Sequence, residues 1–233
     1  MIKLIFVVLL VLSNQGFAEP LKEASNAIET EWASIYYSHP KSKQGDAYIR
    51  LLDKAADLSR QYPDAAEPLF WQAVLKASYA DQQDAFSALS AILEARDLLI
   101  KAIKIDPKTM GGSAYVTLGT LYYMAPVWPI SFGDDLAAQQ MLEIALKINP
   151  VSIDANYFYG EFLMRHNRPD DAVLYFERAT AAPARVEQIY ADSQIKAEAR
   201  IALKNTQERK ISSEKGQFLS LFNPANANRL LLP

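Results

Sequence analysis

The chain has no cysteine in its 233 residues, which removes disulfides, thiolate nucleophiles and cysteine-based metal sites together. Histidine is nearly as scarce. Its two copies, His39 and His166, stand beside Pro40 and Asn167-Arg168-Pro169, where an expected helix end gives them an ordinary surface or capping role. The sequence contains no HExxH, no GxSxG and no phosphate-binding glycine loop, so the common hydrolase and nucleotide signatures are missing. A predominant charge is missing too: a formal net charge of -3 from mixed acids and bases leaves no basic footprint for nucleic acid. Spanning a bilayer takes about 20 apolar residues, and the run from Leu4 to Leu12 falls well short.

That short run follows Lys3 and precedes small residues at Gly16 and Ala18. The arrangement reads as a secretory signal cut after Ala18, which implies a periplasmic or secreted protein beginning at Glu19, with no membrane span once the signal is removed. No cysteine stands at the cut to carry a lipid anchor. With 50% hydrophobic residues and no disulfide, stability must come from packing.

The packing pattern is most legible at residues 112–150. Tyr115, Leu118, Gly119 and Tyr122 fall at i, i+3, i+4 and i+7, one stripe of a helix. Ala138, Leu142 and Ala145 form a second stripe that ends at Asn149-Pro150, because proline lacks the N–H and disfavours helical geometry in the residue before it. Gly119 costs roughly 1 kcal/mol against alanine inside a helix, so its place predicts a close crossing with a neighbouring helix. An aromatic, Leu-Gly and Tyr on one helix, then Ala, a large apolar residue, Ala and Pro on the next, is the tetratricopeptide pattern.

The same phrase recurs on both sides. Ala95, Leu99 and Ala102 close at Asp106-Pro107, and AIKIDP at 102–107 nearly duplicates ALKINP at 145–150. Asn156, Tyr159-Gly160 and Leu163 precede Ala172, Phe176, Ala179 and Pro183. Trp71, Tyr115 and Asn156 mark three units 44 and 41 residues apart, against about 34 in the ideal repeat. The excess is expected between the two helices of the first two units. Asp170 or a neighbour is expected to cap the last second helix.

The expected fold is all-α, degenerate helical hairpins stacked as a solenoid. Residues 1–18 form the signal, 19–64 a helical pair, 65–184 three repeats, 185–210 an outer capping helix and 211–233 an apolar tail.

No catalytic residue, metal or cofactor is marked. Asp134-Asp135 precedes Leu136-Ala137-Ala138, where a carboxylate caps a helix and meets its positive end. The insert MAPVWPISFG at 124–133 is richer. Trp128 and Phe132 either plug a gap between helices or project over the inner face and line a site. The inner face itself should carry Lys76 and Tyr79, then Tyr123, then Tyr157 and Glu161. Only Lys76 among these suits a clamp for a peptide carboxylate. These seven residues are the candidate site for a protein partner, or alternatively for a small apolar ligand; a hydrolase is the third reading.

The phrases LGTLYYMAPVWPISFGDD, LEIALKINP and NYFYGEFLMRHNRPDDAVLYFERATAAP resemble the T-component family of periplasmic TRAP-type transporters over residues 65–204. The resemblance implies degenerate helical repeats, no enzymatic activity and a solute-binding protein as partner, with oligomers and an internal channel in some members.

Overall fold

The computed structural model describes the backbone of residues 15–221 and the side chains of residues 20–209. The apolar run of the expected signal lies outside the described residues, as do 222–233 of the expected tail. Among the described residues there are no strands, only one isolated bridge between Val127 and Gly133. The chain is an all-α stack of helical hairpins: α1 (Gln15–Ser38) with α2 (Lys41–Gln61), α3 (Glu67–Ala80) with α4 (Ala85–Ile105), α5 (Ser113–Met124) with α6 (Asp135–Ile148), and α7 (Ile153–Arg165) with α8 (Pro169–Ala181). A single long helix, α9 (Ile189–Leu221), follows them.

The alternation of small and large residues builds this stack. Ala95, Leu99 and Ala102 on α4, Ala138, Leu142 and Ala145 on α6, and Ala172, Phe176 and Ala179 on α8 are all buried. The alanines let each helix approach its partner while the large residue between them fills the crossing. The glycines sit where expected. A Cβ on Gly119 would lie 2.8 Å from Leu142 Cγ, and one on Gly160 would lie 2.6 Å from the Phe176 ring, so each first helix touches its second helix there. In the third repeat Asn156 takes the place of the leading aromatic. It is wholly buried and donates from Nδ2 to Pro150 O at 2.9 Å and Ser152 O at 2.7 Å, pinning the turn before α7.

Helix starts are set by short polar side chains. Asp84 accepts from the Phe86 and Ser87 amides ahead of α4, Asp134 from the Leu136 and Ala137 amides ahead of α6, and Ser152 from the Ala155 amide in α7, each satisfying otherwise unpaired N–H groups. The expectation for α8 is corrected: Arg168 holds the capping position with no side-chain bond to the helix amides, its guanidinium reaching Asp171 instead, Pro169 opens the helix, and Asp170 and Asp171 fall in its first turn. Gly112 enters α5 at φ +96°, a left-handed conformation that favours glycine. His166 ends α7. Its Nδ1 donates to Phe162 O at 2.7 Å and its Nε2 lies 3.0 Å from Asp135; the carbonyl first, and then the carboxylate, raise its pKa.

Two further expectations differ from what is found. In the first repeat only residues 81–84 separate the helices, and the extra length forms additional turns at the start of α4; only the second repeat carries its excess as a loop. The backbone of α9 continues to Leu221, so residues 211–221, expected in the tail, extend the helix.

Among the first helices α1 touches α3 and α5 touches α7, and α7 touches α9, with α3 and α5 hardly in contact and joined through α4, whereas each second helix packs chiefly on first helices. First helices therefore form the inner row. Because α9 also reaches α1, the last helix returns to the first.

Candidate functional site, the inner face

Tyr123 on α5 is buried, its ring edge-on to Phe162 at 5.9 Å with the Arg165 guanidinium 5.9 Å above it. Burial, then the Glu161 carboxylate, push its hydroxyl up to about 12. On α7, Tyr157 packs between Phe158 at 5.1 Å and Phe176 at 6.1 Å. Burial, then Glu161 and Glu198, raise its pKa. Glu161 is half-buried, and burial alone raises its carboxyl. These three expected site residues share one face.

Other residues complete that face. Tyr36 and Tyr37, at the end of α1, meet edge to face at 4.8 Å, and burial followed by Glu198 raises the pKa of each. Glu198 comes from α9, half-buried; burial raises its carboxyl, the Tyr157 hydroxyl tempers that rise and Glu161 adds to it. α9 packs on α8 and α7 and also reaches α1, burying Ala191, Asp192, Ile195 and Ala199 and bringing Glu198 within electrostatic reach of Tyr157 and Glu161.

The remaining expected site residues lie elsewhere. Lys76 pairs with Glu94 on α4 at 2.8 Å. Tyr79 packs near Tyr48 of α2, ring centres 6.3 Å apart. Phe132 stands edge-on to Tyr122 at 5.7 Å, with the Arg96 guanidinium 4.8 Å from its centre. Tyr122 and Tyr123 are consecutive and point to different sides of α5, so Phe132 follows the α4 side. Trp128 is 84% exposed and plugs no gap. The loop that displays it is well tied, Gly133 N donating to Pro126 O at 2.9 Å and Asp134 N to Tyr122 O at 3.0 Å.

A buried ionic cluster joins the two ends of the stack. Asp192 is fully buried and accepts from the Arg185 backbone N–H at 2.7 Å and from its guanidinium at 2.5 Å. Glu29 on α1 is 5% exposed and accepts from Gln188 Nε2. Burial pushes Glu29 up to about 7, against the opposing pull of Arg185. Asp154 also acts on Arg185, and its Oδ2 accepts from Ser113 Oγ at 2.5 Å. Ser38 Oγ and Tyr190 Oη lie 2.5 Å apart at the other end of the α1–α9 contact. Among the described residues no group of three or more His, Asp or Glu is placed to hold a metal ion, and no helix is long and apolar enough to cross a membrane.

No protein-family model matches the chain, and no curated protein sequence does. Solved structures do. A thermophilic TPR protein of Thermus thermophilus superimposes with a TM-score of 0.52 at 15% identity, covering 79% of this chain and 93% of that one. MamA gives 0.43 at 19% identity, covering 77% and 99%, and yeast Tom70 gives 0.45 at 18%, covering 87% and 40%. At such identities the likeness shows the fold, and the Thermus protein carries it: the chain has the tetratricopeptide-type solenoid fold.

Proposed function

We propose that this protein is a non-enzymatic binding protein that takes a protein partner on its inner face. One observation carries the reading: α1, α9, α7 and α5, from both ends and the middle of the chain, touch in succession and bring tyrosines and carboxylates within electrostatic reach of one another. A repeat stack offers such an arrangement as a preformed groove. The resemblance of residues 65–204 to the T-component family supplies the partner class, a solute-binding protein of a TRAP-type transport system, met after export into the periplasm. Affinity capture of the tagged protein from the native periplasm tests this. The expected result is recovery of a solute-binding protein, lost with Tyr157→Ala. Recovery of a bound apolar small molecule and no protein would favour a carrier instead.

A further inference from the structure

Five large apolar side chains stand exposed on and beside the insert between α5 and α6: Met124, Val127, Trp128, Ile130 and Leu136, from 64% to 84% exposed. The loop holds them out. Ile130 N donates to Val127 O at 3.1 Å, Gly133 N to Pro126 O at 2.9 Å and Asp134 N to Tyr122 O at 3.0 Å. Val127 to Ile130 is therefore one tight turn, and Met124 and Leu136 flank its base. Asp134 and Asp135 are exposed next to Leu136, so the apolar patch has an acidic edge. A cluster of this kind on a tied loop marks a docking surface.

We propose that this patch is the docking site of residues 229–232 of the same chain, Arg229-Leu230-Leu231-Leu232. The length and direction of α9 bring them there. Ile195 packs with Ile153 at the start of α7, and Thr206 Oγ1 lies 3.4 Å from Met164 Sδ near its end, so α9 runs the same way as α7. The end of α7 is also the end that carries the insert, because His166 Nε2 lies 3.0 Å from Asp135 and Arg165 covers the Tyr123 ring. From Thr206 the helix continues to Leu221, about 22 Å further at 1.5 Å per residue. α7 stands between α9 and the α5–α6 hairpin, two interaxial steps of about 10 Å each. Leu221 is then about 30 Å from the patch, a span that residues 222–230 cover when extended. Val186 and Ile189, exposed at the start of α9, are about 50 Å from Leu221 and out of range. The chemistry matches as well: three leucines meet the apolar side chains, and Arg229 meets the Asp134-Asp135 edge. Tethering raises the local concentration of the segment, which favours the chain's own residues over those of a second copy.

Because the chain has no cysteine, a disulfide between two introduced thiols tests the contact in the full-length protein. Under mild oxidation Ile130→Cys/Leu231→Cys should give an internally linked monomer on a non-reducing gel, and Val186→Cys/Leu231→Cys should give none. Tryptophan fluorescence gives a second reading, with the part due to Trp128 obtained by subtracting the Trp128→Phe spectrum. That part should shift to longer wavelength and become more open to acrylamide in the Leu230→Ser/Leu231→Ser/Leu232→Ser variant, and shift the same way in Arg229→Glu. A disulfide-linked dimer would assign the patch to a second copy and overturn the proposal. Equal linkage at positions 130 and 186, or a Trp128 signal indifferent to both tail variants, would overturn it too. None of these results bears on the inner face, which lies apart from the insert.

Discussion

A methyl group at Gly160 would share space with the ring of Phe176, a side chain with no exposed surface to retreat into. Gly160→Ala should therefore cost roughly 1–3 kcal/mol through overpacking. Gly45 is the contrasting case. It lies inside α2 with its nearest neighbour 3.6 Å from a built Cβ, so Gly45→Ala should gain about 0.5–1 kcal/mol by stiffening the unfolded chain. Urea unfolding of the two variants reads both signs, and a Gly160→Ala protein as stable as the parent would refute the close crossing. Gly160 was legible in the sequence because the crossing it serves is local, with α7 and α8 adjacent in the chain. Tyr36 and Glu198 were not, since they come from opposite ends of the chain and no spacing links them.

The elements follow the same rule. The Ala-x3-large-x2-Ala stripes of α4, α6 and α8 predicted their burial correctly, because each stripe repeats with the period of its own helix. The sequence said less about α9, whose charges read as a solvated face until α1 and α7 are placed beside it. The insert at 124–133 left two readings open, and local order now separates its rings. Trp128 is held up by a tied loop without packing into the body, whereas Phe132 packs between Tyr122 and Arg96. Trp128→Ala should change stability by less than about 0.5 kcal/mol, while Phe132→Ala should cost roughly 1–3 kcal/mol, less than a fully buried ring. Thermal melts of the two variants check this, and a large loss from Trp128→Ala would mean that the loop packs differently.

For the whole molecule, the contact between α1 and α9 sets the form of the inner face, and Glu29 reports on it. Its carboxyl is raised from 4.5 to about 7. Between those values the folded protein keeps a proton that the unfolded chain has released, so stability falls as pH rises through that window. Above about pH 7 the full cost of burying the charge is present. At 1.36 kcal/mol per unit this amounts to roughly 3 kcal/mol. Glu29→Gln should therefore flatten the stability curve between pH 4.5 and 7 and exceed the parent at about pH 8, measured by urea unfolding at several pH values. A variant weaker than the parent under those alkaline conditions would show that the charged form is the one the cluster favours. Glu161 and Glu198, also raised by burial, act in the same direction and should leave a residual slope.

Binding is assigned to the inner row of first helices, and photo-crosslinking tests that most directly. Benzoylphenylalanine would be placed in living cells at position 157 on the inner face, at 128 on the insert, or at 174, where Leu174 is exposed on α8. The expected result is a protein adduct from position 157 and none from 174. An adduct from 128 or 174 with none from 157 would contradict the assignment.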